Sequence, residues 1–492
     1  MANQYKSIFK ATTIFGSTQF LKILIDLLKN KAIALLVGAK GLGLMSIYNS
    51  SLAIFITIFG FGLYTSVVRD LTQKSEEEDV VGFAKTLKVY KYLIFIFALL
   101  GTSFVIIFSG TLSLSSFNSL EHEYDYCILS LMILFQLLTQ GNQAILVSSR
   151  KNKLIACSSL FSALVSLITS VPFFYVWGMK GIVPGLVLSN VSTFLVTYCY
   201  SKKIKSLKVT INLSDFRTFG SRMLKLGMAL MFAVLVGDFT NYLINLIVVK
   251  HGNFSDLGFY KAGYQMVWQS LSLIFVSMAS DYYPRLVASL GDINSQNETI
   301  NQQRELLLYL ATPILVALMI FSPLVIFILL SSEFQLINNF LKILCIGAIF
   351  KTMSYSLGYI TIAKGDNKVY FFLDGIGRNV LSLVFIFFMY KAWGLVGLAF
   401  AYVIGEVLYY LLISLWFAKR YSYVQSRENK INSLVCMVVV ILVYVVSLSF
   451  HGIAYYLINL LLLLIISIFC IYKLNLKTGV LSSLKNICNG NK

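Results

Sequence analysis

Two apolar stretches near the C-terminus decide the fold. Residues 431–450 read INSLVCMVVVILVYVVSLSF and residues 453–472 read IAYYLINLLLLLIISIFCIY. Neither stretch contains an Asp, Glu, Lys or Arg residue. A helix needs about 20 apolar residues to cross the hydrocarbon core of a membrane. Because no water satisfies backbone polar groups there, apolar runs of this length are typical of helices rather than open strands. The two stretches therefore predict a pair of transmembrane helices.

Similar apolar runs recur along the whole chain. Hydrophobic residues make up 58% of the sequence and charged residues only 12%, whereas soluble proteins carry roughly 25% charged residues. The sequence therefore predicts an all-α integral membrane protein with about fourteen spans. We place these spans near residues 10–36, 44–68, 89–110, 125–148, 154–177, 181–200, 226–249, 258–284, 305–329, 338–363, 369–390, 394–417, 431–450 and 453–472.

The basic residues indicate which ends of these spans face the cytoplasm. The net charge is +19, from 40 Lys and Arg against 21 Asp and Glu. If the N-terminus is in the cytoplasm, the predicted external loops contain only four basic residues, Lys40, Lys180, Lys250 and Lys391. An excess of Lys and Arg in cytoplasmic segments is the usual orientation signal. This distribution predicts a multi-pass protein with both termini in the cytoplasm, and it favours a membrane over nucleic acid as the partner of the positive charge.

Matching residues at a nearly constant spacing indicate an internal repeat. Asn152-Lys153 matches Asn367-Lys368, and Trp177-Gly178 matches Trp393-Gly394, at offsets that differ by a single residue. A fixed period over several spans is the signature of duplication. Each copy has six predicted spans, an even number, so the two copies share one orientation as in transporters built from parallel repeats. The predicted organisation is an N-terminal lobe (1–200), a cytoplasmic amphipathic linker (201–225), a C-terminal lobe (226–417), an extra two-helix hairpin (418–473) and a cytoplasmic tail (474–492).

The linker carries the pattern of a helix that lies on the inner membrane surface. After Ser214-Asp215, a plausible helix cap, three hydrophobic residues recur at helical spacing. Basic residues surround them. We therefore predict a short amphipathic helix with its basic face toward anionic lipid. The hydrophobic residues are Phe216, Phe219 and Met223, and the basic ones are Lys202, Lys203, Lys205, Lys208, Arg217, Arg222 and Lys225.

Several charged residues fall inside predicted spans, where each costs at least roughly 2.5–3.5 kcal/mol unless it faces protein or water. In the first span, Lys22, Asp26 and Lys29 stand at i, i+4 and i+7 and so share one helical face. Charged residues at or near the centres of later spans include Asp238, Lys351 and Glu406, and one later span carries the pair Asp374 and Arg378.

These charges have two interpretations. They line a hydrated cavity between the two halves, or they form structural ion pairs that hold helices together. For Asp374 and Arg378, which are four residues apart on one span, an intrahelical ion pair is favoured. For Lys29 and Asp26 the cavity is favoured, and for Asp238 and Glu406 the sequence leaves both interpretations open.

The opening of the chain resembles a known family. It combines Lys22-x6-Lys29-Asn-Lys, the turn GAKGLGL at residues 38–44 and the sequence SVVRDLTQ at residues 66–73. This pattern resembles the start of Wzx-type polysaccharide flippases, which carry O-antigen units. The two six-span halves extend the resemblance over roughly residues 1–417 to the superfamily that also contains multidrug-and-toxin exporters. The extra helix pair is similar to fourteen-span members such as the peptidoglycan lipid flippases.

The resemblance implies transport across the bacterial cytoplasmic membrane rather than chemistry. Its expected substrate is an undecaprenyl-diphosphate-linked oligosaccharide. Its expected driving force is a proton or sodium gradient, as in an antiporter, and its expected partners include membrane lipids and the polysaccharide polymerase machinery. Lys29 matches a cationic cavity residue of the peptidoglycan lipid flippases. The chain departs from them on the second span, where it has Ile56 or Thr57 instead of a basic residue.

The residues predicted to serve this transport fall into two sets, with no catalytic, metal or cofactor site. Lys29, Lys22, Lys351 and Arg378 are the substrate-binding candidates, since cations replace the water that a diphosphate loses. Asp26, Asp238 and Glu406 are the ion-coupling candidates, since a buried carboxylate can take up a proton.

Two other functions stay open. A multidrug or cation exporter would share the fold but would be expected to have an acidic pocket. A membrane glycosyltransferase or polymerase could use the acidic run Glu121-His-Glu-Tyr-Asp125. The three histidines, His122, His251 and His451, are interpreted as solvated residues of external loops.

Overall fold

The computed structural model describes residues 2–149, 151–204, 207 and 209–478. Within these residues the secondary structure is helical throughout, without strands. Ten segments of the described chain are long and apolar enough to cross a membrane. The predicted all-α class is confirmed, whereas the count of fourteen spans stays a prediction.

The chain divides into two compact units, Met1–Gly258 and Phe259–Lys492. Helix α9 contains the division point. The helices are α1 (Ala2–Gly60), α2 (Leu63–Glu76), α3 (Val80–Ile107), α4 (Ser109–Phe117), α5 (Glu123–Ser148), α6 (Asn152–Trp177), α7 (Ile182–Ser201), α8 (Leu213–His251), α9 (Phe254–Ala288), α10 (Ile293–Ile320), α11 (Ser322–Leu329), α12 (Asn338–Ala363), α13 (Asn367–Tyr370), α14 (Arg378–Tyr421), α15 (Arg427–Ser449) and α16 (Gly452–Thr478). A π-helical turn, Phe371–Gly377, joins α13 to α14.

The same helix junction occurs in both copies of the predicted repeat. Gly178 follows α6 with φ 52°, and Gly394 interrupts α14 with φ 57°. Positive φ is readily adopted only by glycine. Three residues later, Gly181 and Gly397 lie against the carbonyl groups of Phe173 and Met389, where no side chain would fit. The backbone therefore repeats at the same period that the sequence shows at these junctions.

A substitution at the second junction should test its packing. We expect Gly397→Ala to lower the free energy of unfolding by roughly 1–3 kcal/mol, because the added Cβ would overlap the Met389 carbonyl. Gly405, on the same helix, has no atom within 4 Å of the position its Cβ would take. Gly405→Ala is therefore the matched control and should be neutral or stabilising. Thermal unfolding and monodispersity of the two purified variants measure the difference. Equal behaviour would contradict the close approach.

Within its described residues, the predicted linker at residues 201–225 does not contain a separate short helix. Helix α8 starts at Leu213 and continues without interruption through the predicted seventh span. Its cap is Asn212, which forms a reciprocal capping box with Asp215. A hydrogen bond from Lys85 Nζ at 3.0 Å, together with the Asn212 backbone, holds the pKa of Asp215 below its usual value. The cap thus fixes where α8 starts.

The hydrophobic side of this helix start packs inside the first unit rather than toward lipid. Met223 is fully buried, and Phe216 and Phe219 pack against the same core. Lys205 and Lys208, which contribute to the predicted basic face, lie outside the described residues, as do residues 479–492 of the predicted tail. The domain boundaries at residues 200 and 225 stay predictions.

Candidate functional site

In the first unit, Lys29 is held by hydroxyl groups. Its Nζ donates hydrogen bonds to Ser166 Oγ at 2.6 Å and to Ser189 Oγ at 3.2 Å. The two serine hydroxyls lie 2.6 Å from each other. Helix α1 supplies the lysine, α6 and α7 supply the serines, and Lys29 is half-buried. Because both partners are neutral, they orient the ammonium group without cancelling its charge.

Lys22 and Asp26 extend this site along α1. Both side chains are half-buried, and the charge of Asp26 interacts electrostatically with Lys22 and with Lys29. Within the described residues, however, Asp26 forms no ion pair with either lysine at 4 Å or less. The face predicted from the i, i+4, i+7 spacing therefore carries two cations and one anion, which leaves an excess of one positive charge.

An open cleft of about 380 Å³ lies elsewhere in the first unit, between parts of α1, α2, α5 and α8. Thr57, Gln140 and Gln143 are among its polar lining residues. Thr57 Oγ1 also donates a hydrogen bond of 2.5 Å to Asp238 Oδ2. Asp238 is thus connected to this polar cleft through Thr57, and it is not part of the Lys29 site. Gln140 and Gln143 face the open space of this cleft.

In the second unit, three of the predicted residues meet in one cluster. The Arg378 guanidinium contacts both carboxylate oxygens of Glu406, with 2.6 Å to Oε2. Lys351 Nζ lies 3.8 Å from Glu406 Oε1. Glu406 is only 6% exposed. The cluster therefore contains two cations around one buried carboxylate.

Asp374 has a different partner from the one expected for an i, i+4 pair. Its Oδ1 accepts a hydrogen bond from the Tyr409 hydroxyl, and Arg378 points to Glu406. The cause is the π-helical turn at Phe371–Gly377. Residues four apart no longer stack on one face where the backbone hydrogen bonds run from i to i+5. The interpretation as an intrahelical ion pair of Asp374 and Arg378 is therefore wrong.

A polar network that the sequence does not predict lies at the predicted external end of the first unit. The Tyr48 hydroxyl donates to Asp125 Oδ2 at 2.5 Å and lies 2.8 Å from His122 Nδ1. His122 Nδ1 is also 2.8 Å from Asp125. His122 is therefore half-buried and hydrogen-bonded, and only part of its side chain is open to solvent. The available signal in the sequence was the acidic run at residues 121–125, and it did not imply a contact between Tyr48 and that run.

In the part of the chain that the structure describes, no group of three or more His, Cys, Asp or Glu side chains could hold a metal ion. The acidic run at residues 121–125 instead contributes Asp125 to the network with Tyr48 and His122.

The chain is similar to known proteins both in sequence and in fold. A family model described as polysaccharide biosynthesis protein matches residues 33–339. A Shigella flexneri protein described as a "Putative O-antigen transporter" is 23% identical over 385 residues, which is 77% of this chain and 90% of the relative.

The solved structures that resemble the chain are transporters. A structure of the lipid II flippase MurJ in an inward closed conformation has a TM-score of 0.72 at 14% identity and covers 94% of this chain and 99% of its own. An inward-facing multidrug resistance MATE family transporter of the MOP superfamily has a TM-score of 0.70 at 16% identity, with 82% and 94% covered. These likenesses confirm the expected helical transporter fold.

Proposed function

Because the chain belongs to the polysaccharide biosynthesis protein family, we propose that it is a flippase of the bacterial cytoplasmic membrane. Its substrate is an undecaprenyl-diphosphate-linked oligosaccharide repeat unit, which it moves from the inner to the outer leaflet. The similarity to a protein described as an O-antigen transporter supports a glycan substrate. The similarity to a lipid II flippase supports a lipid-linked one.

The observation that carries this proposal is that the hydrogen-bond partners of Lys29 are neutral. A buried cation normally has an acidic partner, because an unpaired charge in a membrane is costly. Lys29 instead has two serine hydroxyls, while its nearest acidic neighbour, Asp26, forms no ion pair with it in the described chain. Its charge is therefore available to an anionic ligand. A diphosphate is such a ligand, since it must exchange its water for protein cations before it can cross hydrocarbon.

Lys22 lies on the same face of α1 and adds a second positive charge near Lys29. The two lysines act as point charges, which a moving diphosphate can approach and leave without a fixed geometry. Alternating access then exposes the bound headgroup to one side of the membrane and afterwards to the other. No covalent bond is made or broken, so the proposed activity is transport.

The direct test is reconstitution. Vesicles that contain the purified chain and a fluorescently labelled undecaprenyl-diphosphate oligosaccharide should show transfer of the label between leaflets, and protein-free vesicles should not. The same vesicles, loaded with a cationic dye, distinguish the proposed flippase from the alternative, a cation exporter. Dye efflux without leaflet transfer would favour a cation exporter and would contradict the proposed flippase.

We propose further that a proton or sodium gradient drives the transport through a carboxylate. Glu406 is held by two cations, which favour its charged form and make it a poor proton acceptor. In the described residues, Asp238 accepts one side-chain hydrogen bond, from the Thr57 hydroxyl, and it lies beside an open cleft. Asp26 has neighbouring lysines but no ion pair in the described chain. The geometry therefore favours Asp238 and Asp26 over Glu406 as coupling groups.

Asp238→Asn should uncouple transport from the gradient. We expect the variant to keep slow leaflet transfer but to lose most of the acceleration, about tenfold, that an imposed proton or sodium gradient gives the unmodified chain, because the amide cannot be charged or protonated. Asp281, which is exposed and pairs with Arg285 on the surface, provides the control. Asp281→Asn should retain the full response. A normal gradient response in Asp238→Asn would exclude this residue, and Asp26→Asn would then be examined in the same way.

A further inference from the structure

A second polar pocket lies in the second unit, at the end of the helix pair that has no counterpart in the repeat. Its volume is about 400 Å³. Asn338, Asn339 and Lys342 line it from the first turns of α12, and His451 and Tyr455 line it from the junction between α15 and α16. No Asp or Glu residue is among its lining residues. The pocket is at the predicted external end of these helices.

Lys342 is the unusual feature of this pocket. Its side chain is 8% exposed, and in the described part of the chain it forms neither an ion pair nor a hydrogen bond. Its ammonium group lies 4.9 Å from the centre of the Tyr455 ring. A cation–π contact of this kind stabilises a buried cation only partly. A lysine that is more than nine-tenths buried and without an acidic partner indicates that the pocket accommodates an anion.

The surroundings of Lys342 hold the pocket in a defined shape. The Tyr455 hydroxyl donates to the carbonyl groups of Met319 and Ile320, at 3.4 and 3.2 Å, which fixes the ring beneath the ammonium group. Asn338 Oδ1 accepts a hydrogen bond of 2.5 Å from Ser322, so its NH₂ group is left as a donor. Helix α12 begins at Asn338, and the positive end of its dipole adds to the potential there.

We propose that this pocket binds a phosphate group, either as the free anion or on the headgroup of an anionic lipid. Phosphate offers several acceptor oxygens to an ammonium group and to amide donors. The pocket is larger than one phosphate needs, which leaves room for a headgroup, and the ends of membrane helices lie at the level of lipid headgroups. The site is separate from Lys29 and does not depend on the transported substrate.

Binding is tested on the purified full-length chain in two settings. In detergent, thermal unfolding is followed during titration with sodium phosphate, against sodium chloride of equal ionic strength. In nanodiscs, unfolding is compared between phosphatidylcholine alone and phosphatidylcholine mixed with phosphatidylglycerol. Stabilisation by phosphate in detergent identifies the free anion as a ligand. Stabilisation by phosphatidylglycerol alone identifies the lipid headgroup. Both results support the site, provided that they depend on Lys342.

Lys342→Met should weaken the stabilising ligand about tenfold or more, because a charge-assisted hydrogen bond is lost. Lys342→Arg should retain binding. The matched control is Lys391→Met, which removes an exposed lysine of the second unit that does not line the pocket. Absence of stabilisation in both settings, or equal stabilisation of the Lys342→Met variant, would overturn the proposal.

The unliganded variants separate binding from packing. If Lys342 serves an anion, Lys342→Met without ligand should be as stable as the unmodified chain or more stable, because an unpaired buried charge has been removed. If Lys342 only packs on Tyr455, the methionine variant should be less stable without ligand, and that result would count against the phosphate site. If the Lys342→Met variant cannot be recovered as folded protein, Lys342→Gln replaces it in both measurements.

Discussion

Lys29→Glu is expected to abolish leaflet transfer of the lipid-linked oligosaccharide while leaving the protein inserted in the membrane. The substitution replaces the cation between Ser166 and Ser189 with a carboxylate that repels the diphosphate. Lys29→Ala should be less severe but should still reduce transfer about 10- to 100-fold, since a hydrogen bond to a charged group contributes roughly 1.5–3 kcal/mol. Leaflet transfer in reconstituted vesicles measures both, and in cells lipid-linked units should accumulate on the cytoplasmic side.

Lys31 provides the control for this prediction. It lies two residues further along α1, is also half-buried, and does not share the face of Lys22, Asp26 and Lys29. Lys31→Ala removes the same charge from the same helix and should transport at a rate close to that of the unmodified chain. Normal transfer by Lys29→Ala would remove Lys29 from the substrate site. An equal loss in both variants would indicate a general need for positive charge on α1 and not a specific site.

Glu406→Gln is expected to have the largest effect on stability. It leaves Arg378 and Lys351, both half-buried in the second unit, without the buried carboxylate that they share. Removal of one partner from a buried ion pair costs about 3–5 kcal/mol. The yield of folded, monodisperse protein and its thermal unfolding should both fall sharply. Glu428→Gln, which removes an exposed carboxylate that pairs with Lys473 and Lys477, should change them little, because surface ion pairs contribute about 0–1 kcal/mol.

A double variant separates the structural role of this cluster from a role in transport. Arg378→Gln together with Glu406→Gln removes both charges and should recover much of the stability lost in the single variant. A double variant as unstable as Glu406→Gln would contradict the pairing. Leaflet transfer by the folded double variant then tests the predicted substrate contact of Arg378. A rate near that of the unmodified chain would exclude Arg378 from the substrate-binding residues.

The helical class could be predicted from the sequence because the length of an apolar run is a local property. The helix junctions were predictable for a similar reason, since Gly178 and Gly394 each follow a matching tryptophan in the two copies of the repeat. The partners of the charged side chains were not predictable in this way. Lys29 meets serines more than a hundred residues away along the chain, and no periodicity in the sequence specifies which helices are neighbours.

The pairing of Arg378 shows most clearly that the sequence does not predict the partners of charged side chains. The spacing from Asp374 predicts an ion pair in a regular α-helix, and a π-helical turn removes that spacing. The turn contains Gly375 and Gly377, but two glycines do not by themselves predict a π-helical turn. The partners of His122 were not predicted for another reason. Its position in a short polar segment predicts a solvated side chain, whereas Tyr48 and Asp125 surround it.

The π-helical turn also accounts for a change in the period of the repeat. The matching residues Asn152 and Asn367 lie before the position of the turn, and Ser166 and Ser382 lie after it. The second pair is one residue further apart along the chain than the first pair. The second copy therefore has one residue more than the first between these points. An extra residue in a regular α-helix would rotate everything beyond it by about 100°, which would move Gly394 out of register with Gly178. A wider turn takes up the residue locally.

The turn at Phe371–Gly377 therefore accommodates one inserted residue, and the geometry of the helix junction that follows is unchanged. Beyond it, the second copy carries Arg378 and Glu406, where the first copy has Ser162 and Asn190 at the equivalent positions of the repeat. The duplicated halves have thus kept one backbone plan and acquired different charges on it. A protein built in this way can alter the polarity of one half without disturbing the other.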